Sequence, residues 1–405
     1  MGLIVQKYGG TSVGNPERIR NVAKRIAKTF DQGNDVVVVV SAMGKSTDDL
    51  VDLANEVTDS PDKREFDVLL ATGEQVSIAL VSMALKSMGY TATSLCGFQA
   101  EVFTDSDYGS ARIKEVKATR IKELLAERQI VIVAGFQGID PVGNITTLGR
   151  GGSDTSAVAL AGALKADMCE IYTDVQGVYT SDPNVCKNAR KLDRISCEEM
   201  LEMASLGAGV LYIRAVEFAI KHNVSVYVRS SFNEEDGTMV VNGTHDMESP
   251  LVSGITYSKN EARITLRKVP DQPGIAAKIF SSVADAGINV DMIIQNTRAG
   301  GQTDLTFTVP KADFKKAMDI EREVAKQIGA EDVLGDENIA KVSVIGVGMK
   351  SHAGVASKAF SALAAENINI IMISTSEIRI SCVLEEKQAE LAVRVLHDAF
   401  ELEKE

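Results

Sequence analysis

Short apolar runs and amphipathic stretches alternate along the first 245 or so residues. The runs at 3–7, 36–41, 130–134, 169–173 and 225–228 are rich in Val and Ile and have the length of strands. The valine run from Val36 to Val40 shows no polar alternation, which predicts a parallel strand covered on both faces. Between these runs, apolar positions at helical spacing predict helices over 16–30, 47–58, 73–88, 117–127, 154–166, 197–205 and 214–222. Such alternation predicts a three-layer α/β/α sandwich around a mostly parallel sheet, with ligands beyond the carboxyl ends of the strands. Lys7, Ser41, Gly135 and Asp174 fall at or just past those ends.

The pattern changes after residue 242. A polar, turn-rich stretch precedes an internal repeat, in which 271–290 aligns without gaps on 351–370. About half the positions of the aligned core are identical. Each copy reads as strand, glycine turn, amphipathic helix and a strand after an Ile-Asn turn, the opening of a βαββαβ unit. The expected layout is a catalytic domain over 1–245, a linker over 246–262, and modules over 263–335 and 336–405, with strands open to exchange between the modules. A duplicated unit of this kind either packs and dimerises or senses a small molecule. The acid-containing turn Asp271-Gln272-Pro273-Gly274 leading into a helix favours sensing, because it offers backbone donors to a carboxylate.

Two loops carry the chemistry. Gly149-Arg150-Gly151-Gly152-Ser153-Asp154-Thr155-Ser156 runs into the apolar segment 157–166, so its free N–H groups and the helix dipole favour an anion. At the other, the strand ending in Lys7 passes into Tyr8-Gly9-Gly10-Thr11-Ser12, and Pro16 opens a helix. A lysine placed there can neutralise charge that builds on a transferring phosphoryl group. Taken singly, Lys7 could be a solvated lysine and Asp154 a helix cap, but two phosphate cradles together point to phosphoryl transfer. Gly44-Lys45-Ser46 only imitates the tail of a P-loop, since the leading glycine would fall at Val39.

Composition narrows the partners. A formal net charge of −13 argues against nucleic acid or an anionic membrane, so anions must be met by local features such as Lys7 and Arg150. No apolar run approaches the roughly 20 residues of a membrane span, and no leader is visible at the start. Five cysteines without CxxC pairing fit a reducing cytoplasm, and neither they nor the dispersed histidines suggest a protein-built metal site.

Lys7 to Ser12, Thr72-Gly73-Glu74, Gly135-Phe136, Gly149 to Ser156 and Tyr172-Thr173-Asp174 together resemble the aspartate kinase branch of the amino-acid kinase superfamily, and the repeat resembles its paired ACT modules. The resemblance covers essentially the whole chain and is of the short, monofunctional type, with no appended homoserine dehydrogenase expected. It implies transfer of the ATP γ-phosphate to the side-chain carboxylate of L-aspartate. That is the first step towards lysine, threonine and methionine, under feedback by lysine or threonine.

By the same resemblance Lys7 and Asp154 are the catalytic pair. ATP would meet Lys7, Tyr8, Gly9, Gly10, Ser41, Asp154, Thr173, Asp174, Tyr179, Thr180, Ser181, Asp182, Pro183 and Asn184, with Mg²⁺ held mainly by phosphates and water. Aspartate would meet Ser41, Thr47, Asp48, Asp49, Glu74, Arg150, Gly151, Gly152 and Ser153. One arginine for a carboxylate and one glutamate for the ammonium suit that substrate. Effectors would meet Asp271, Gly274, Ile275, Ala276, Asn289, Asp291, Gln295 and Asn296 in one copy. In the other they would meet Met349, Ser351, Val355, Asn369, Ile370, Ser374, Thr375, Ser376 and Glu377. Gln176 and Asn184 replace the family's usual Asp and Arg, and Ala353 replaces a proline, so those contacts depart from the family pattern. The chain is expected to form a homo-oligomer, or to assemble with a shorter regulatory subunit started at Met247. A non-catalytic amino-acid sensor and a sister kinase for acetylglutamate, glutamate or a nucleoside monophosphate are the alternatives. The retained Lys7, Arg150 and Asp154 oppose the first, and the tandem modules with Glu74 and Arg150 oppose the second.

Overall fold

A computed structural model describes residues 2–207, 209–243, 252–298, 301–347, 349 and 354–404. It divides into two compact units, Met1–Tyr179 with Lys191–Ser249, and Thr180–Arg190 with Pro250–Glu405.

The first unit opens with β1 (Leu3–Tyr8), α1 (Pro16–Asp31), β2 (Asp35–Val40), α2 (Ser46–Val57), α3 (Lys63–Ser87) and β3 (Ala92–Leu95). It continues through β4 (Val102–Thr104), β5 (Ile113–Val116), α4 (Thr119–Ala126), β6 (Ile130–Ala134), β7 (Gln137–Ile139), β8 (Ile145–Thr147) and α5 (Gly152–Leu164). It closes with β9 (Met168–Thr173), β10 (Arg194–Ser196), α6 (Cys197–Ser205), α7 (Ile213–His222), β11 (Val226–Ser230) and β12 (Thr238–Val241). Eight strands form the main sheet in the order β10-β12-β11-β9-β1-β2-β6-β3, parallel except where β12 runs against β11.

Both faces of the centre are covered, as the valine run requires. Val36, Val38 and Val40 join Tyr8 and the apolar stripes of α1 and α3 in one core, while α5 packs on β1, β2 and β9. The expected helix 73–88 begins earlier, at Lys63, where Asp62 caps it by accepting from the Glu65 N–H at 3.1 Å. Gly73 therefore lies inside a helix. A Cβ there would sit 2.8 Å from the Ala42 methyl, so glycine permits that close approach. By length and composition α3 is also apolar enough to cross a membrane, but half of its most apolar stretch is buried within the unit, and Asp67 and Glu74 belong to its buried face. The second sheet, β5-β4-β7-β8, has strands of three or four residues, too short to show a period in the sequence.

The second unit consists of β13 (Gly254–Pro270), α8 (Ile275–Asp285), β14 (Ile293–Arg298), β15 (Gln302–Pro310), α9 (Phe314–Ile328), β16 (Asp332–Ile345), α10 (Val355–Ala365), β17 (Met372–Thr375), β18 (Arg379–Glu385) and α11 (Ala389–Ala399). Its antiparallel sheet has the order β14-β15-β13-β16-β18-β17. The repeat is visible as geometry. Gly274 and Gly354 precede α8 and α10 with φ of 91° and 110°, and Ile288 and Ile368 are buried at matching turns.

β13 and β16 each serve two cores. The later part of β13 pairs with β15 and builds the first core with α8 and α9, whereas Ile255 and Tyr257 pack with Val342, Val344, α10 and α11 in the second. Register shifts between Ser258 and Arg263 mark the changeover. Residues 254–262, which read as linker, are thus strand, because the second module takes an edge strand from the chain ahead of the first. Residues 246–251 and Met247 lie outside the described residues.

Candidate active site

Alternation along β1 sets the site. Gln6 and Tyr8 point to the α1–α3 side, so Lys7 between them points to α5. The first turn of α5 presents Asp154, and Lys7 Nζ lies 2.5 Å from Asp154 Oδ1, with side chains 11% and 5% exposed. A buried ion pair costs desolvation on both sides, so its place at a strand end, beside a helix N-terminus, speaks for chemistry over stability.

Backbone hydrogen bonds tie the neighbouring strand ends together. The Gly9 N–H donates to Tyr172 O at 3.2 Å, Ser41 N–H to Tyr8 O at 3.1 Å, and Gly135 N–H to Val40 O at 3.0 Å. The loops after β1, β2, β6 and β9 therefore share one rim, at the point where the sheet order reverses around β1. Tyr8 can take part only through its main chain. Its ring is fully buried and stacks on Tyr172 at 4.7 Å, so only its backbone can face a ligand.

Glu74 reaches the same rim from α3. Its Oε1 accepts from the Ala42 N–H at 3.0 Å, just past β2, while Oε2 is buried without a hydrogen-bond partner. Burial pushes its carboxyl up to about 7. An unpartnered buried oxygen of this kind fits a substrate ammonium. Thr47, Asp48 and Asp49 occupy the first turn of α2, where both aspartates are exposed. The Arg150 side chain is exposed and forms no ion pair among the described residues, as a residue kept for a ligand carboxylate would. Gly151 has φ of 73°, and a Cβ there would lie 2.1 Å from Tyr212 Cγ; Gly152 and Ser153 are buried beneath.

Two supports were not legible in sequence. Arg214 of α7 donates from Nη1 to Leu148 O at 2.5 Å and from Nη2 to Ala111 O at 2.8 Å, clamping the strand of chain that enters the Gly149–Gly152 turn. Ser12 and Ser231 pair their hydroxyls at 2.5 Å across the Lys7 loop. Both partners lie far away in sequence and carry no motif.

The nucleotide candidates divide between the units. Thr173, Asp174 and Tyr179 belong to the first, where Thr173 Oγ1 donates to Asp174 and the Tyr179 hydroxyl donates to Gln176 Oε1 at 2.9 Å. Thr180 to Asn184 belong to the second. Thr180 is 1% exposed, and its N–H, carbonyl and hydroxyl all have intramolecular partners. Ser181 is buried, whereas Asp182, Pro183 and Asn184 are exposed, with Asp182 Oδ1 accepting from the Asn184 N–H at 2.9 Å.

Among the effector candidates, Asp271, Gly274, Ala276, Asn289, Gln295 and Asn296 are exposed and Ile275 is half-buried. Asp291 instead pairs with the buried Lys341, which also holds Glu261 at 2.9 Å. Met349 and Val355 both pack in the core of the second module. Asn369, Thr375 and Glu377 are exposed, Ile370, Ser374 and Ser376 half-buried, and Ser351, like Ala353, lies outside the described residues. Among the described residues, no three of His, Cys, Asp or Glu gather as a metal site.

Comparison with known proteins identifies the two parts of the chain by family. The amino acid kinase family matches residues 2–230, and the ACT domain matches 267–320 and 342–400. The chain is 56% identical over 405 residues to an aspartokinase of Pseudomonas aeruginosa, covering 100% of this chain and 98% of that one. It is 51% identical over 407 residues to an aspartokinase of Mycobacterium bovis, covering 99% and 97%. Its fold superposes with a TM-score of 0.82 on E. coli aspartokinase III solved with aspartate and ADP in the R-state, at 27% identity and covering 98% and 99% of the two chains. The lysine- and aspartate-bound T-state of that protein gives 0.76 at 26% identity, with the same coverage.

Proposed function

The chain belongs to the aspartokinases of the amino acid kinase family, and from that premise we propose how its own residues perform the transfer. The side-chain carboxylate of L-aspartate attacks the γ-phosphorus of ATP, the bond to the β–γ bridging oxygen breaks, and ADP and 4-phospho-L-aspartate result. A carboxylate of pKa about 4 is ionised at neutral pH, so no general base is needed. What remains is alignment and charge compensation.

Lys7 supplies the positive charge at the transferring oxygens, and Asp154 orients it from 2.5 Å while the α5 N-terminus adds N–H donors. Glu74 Oε2 receives the substrate ammonium and Arg150 its α-carboxylate. Magnesium bound with ATP compensates phosphate charge. The cradle suits a metal carried in on the phosphates, because Asp154, the carboxylate beside Lys7, is already paired with it. The buried Lys7–Asp154 pair carries this reading. The test is ADP release with MgATP and L-aspartate, the acyl phosphate being trapped with hydroxylamine. Aspartate-dependent trapping supports it, and ADP release without hydroxamate removes it.

In this reading, residues 1–245 catalyse and the modules 263–335 and 336–405 sense lysine or threonine, chiefly through the exposed turn at Asp271 and its counterpart near Asn369. The five free thiols and the substrates suit the cytoplasm. Sizing the native protein tests assembly. A species shortened to the regulatory part would support the start at Met247, and a single full-length species would remove it.

A further inference from the structure

Two segments of the first unit lie side by side where the chain enters the turn that carries Arg150. The Ala111 N–H donates to Thr147 O at 2.9 Å, and a Cβ at Gly149 would lie 2.9 Å from Gly109 O, so the 109–111 segment abuts the turn itself. Arg214 joins the two segments through Leu148 O and Ala111 O. Asp67 of α3 joins them a second time. Its Oδ2 accepts from the Gly109 N–H at 3.0 Å and the Thr147 N–H at 2.7 Å, while its Oδ1 accepts from the Thr147 hydroxyl at 2.6 Å.

Asp67 is fully buried. Taking a carboxylate out of water costs desolvation, which the three donors aimed at its ionised form offset. Plain packing would be served as well by an apolar side chain. What the carboxylate adds is position. Thr147 is the last residue of β8, and beyond it the Leu148 N–H donates to Phe136 O at 2.8 Å and the Gly152 N–H to Gly149 O at 2.9 Å. The backbone on both sides of Arg150 is thereby fixed, while its side chain stays exposed.

Glu74, whose free Oε2 receives the ammonium in the proposed reaction, lies further along the buried face of the same helix. The step from Asp67 to Glu74 is two helical turns, about 10 Å. We infer that Asp67 is a positioning residue for the substrate α-carboxylate, acting on Arg150 through Thr147 and Gly109, so that α3 sets both subsites that select an α-amino acid. This rests on the reading of Arg150 as the carboxylate contact.

The experiment measures kcat, both KM values and the thermal midpoint of full-length Asp67→Asn, Thr147→Val, Thr147→Ser and Arg150→Ala, and of Asp67→Asn combined with Arg150→Ala. Asparagine keeps the shape but turns one acceptor into a donor. It is expected to raise the KM for aspartate about tenfold, with kcat and the KM for MgATP within about threefold. Thr147→Val raises the KM for aspartate about threefold, and Thr147→Ser, which keeps the hydroxyl, holds the parental value. These two serve if Asp67→Asn does not fold. Because Asp67 acts through Arg150, its replacement should lower kcat/KM for aspartate by less than about twofold once residue 150 is alanine. Additive losses in the double variant, or a lower thermal midpoint with unchanged KM for aspartate, would make Asp67 merely structural and overturn the inference. If Arg150→Ala raises the KM for aspartate while Asp67→Asn and Thr147→Val do not, positioning fails alone. If Arg150→Ala leaves that KM unchanged, the reading of Arg150 fails and the inference with it.

Discussion

Lys7 and Glu74 illustrate how a single side chain acquires its chemistry from what surrounds it. Lys7 is an ordinary strand-end lysine until α5 sets Asp154 at 2.5 Å, and its replacement tests the charge it supplies. Lys7→Ala is expected to lower kcat by about two orders of magnitude or more, in line with removal of a preorganised charge from a transition state. Near-parental kcat in a folded variant would take Lys7 out of catalysis. Glu74 makes a prediction of opposite electrostatic character. Burial raises its carboxyl from 4.5 to about 7, so between those values the folded protein holds a proton that the unfolded chain has released. Folding then takes up a proton, and stability contributed by this group falls as pH rises through that window. An arriving ammonium favours the carboxylate, so aspartate binding at about pH 6 should release a proton from the enzyme. Calorimetry in buffers of different ionisation enthalpy would show this release, and it should vanish in Glu74→Gln. Identical buffer dependence in the two proteins would move the ammonium site elsewhere. Lys7 and Asp154 were legible as a pair because glycine-rich cradles flag them. The orphaned oxygen of Glu74 was not, since it depends on α3 lying against Ala42.

At the scale of elements, the turn entering α5 shows two constraints meeting at one residue. Gly151 needs its positive φ of 73°, and Tyr212 fills the space a side chain would take. Gly151→Ala should therefore lower the thermal midpoint, with strain on the order of 1–3 kcal/mol, and raise the KM for aspartate. Adding Tyr212→Ala should recover the part due to the clash and leave the part due to φ. Full recovery would mean the backbone tolerates alanine. The long elements were legible for reasons of packing. β2 and β6 read as unbroken apolar runs, β1 and β9 as largely apolar ones, and α1 has a clean apolar stripe. The strands of the small sheet were not, because three residues hold no period. Nor was the true start of α3, where the capping signal at Asp62 competes with a polar first turn.

In the whole molecule, duplication was legible and strand sharing was not. Feedback sensing predicts that Asp271→Ala weakens inhibition by lysine or threonine about tenfold, the scale of a lost charged contact, while leaving uninhibited kcat within about twofold. Joint loss of activity and inhibition would mark Asp271 as structural. The sequence alone determined the α/β part, the tandem modules, the two glycine-rich loops and the pairing of Lys7 with Asp154. These rest on local period, on glycine turns and on helix N-termini, all of which are properties of contiguous residues. The tertiary structure decided that β13 and β16 each serve two cores, that Lys341 occupies Asp291, and that Thr180 is anchored by His397. Those depend on partners between 50 and 217 positions apart, which meet only after the sheets have closed and water has been excluded from between them.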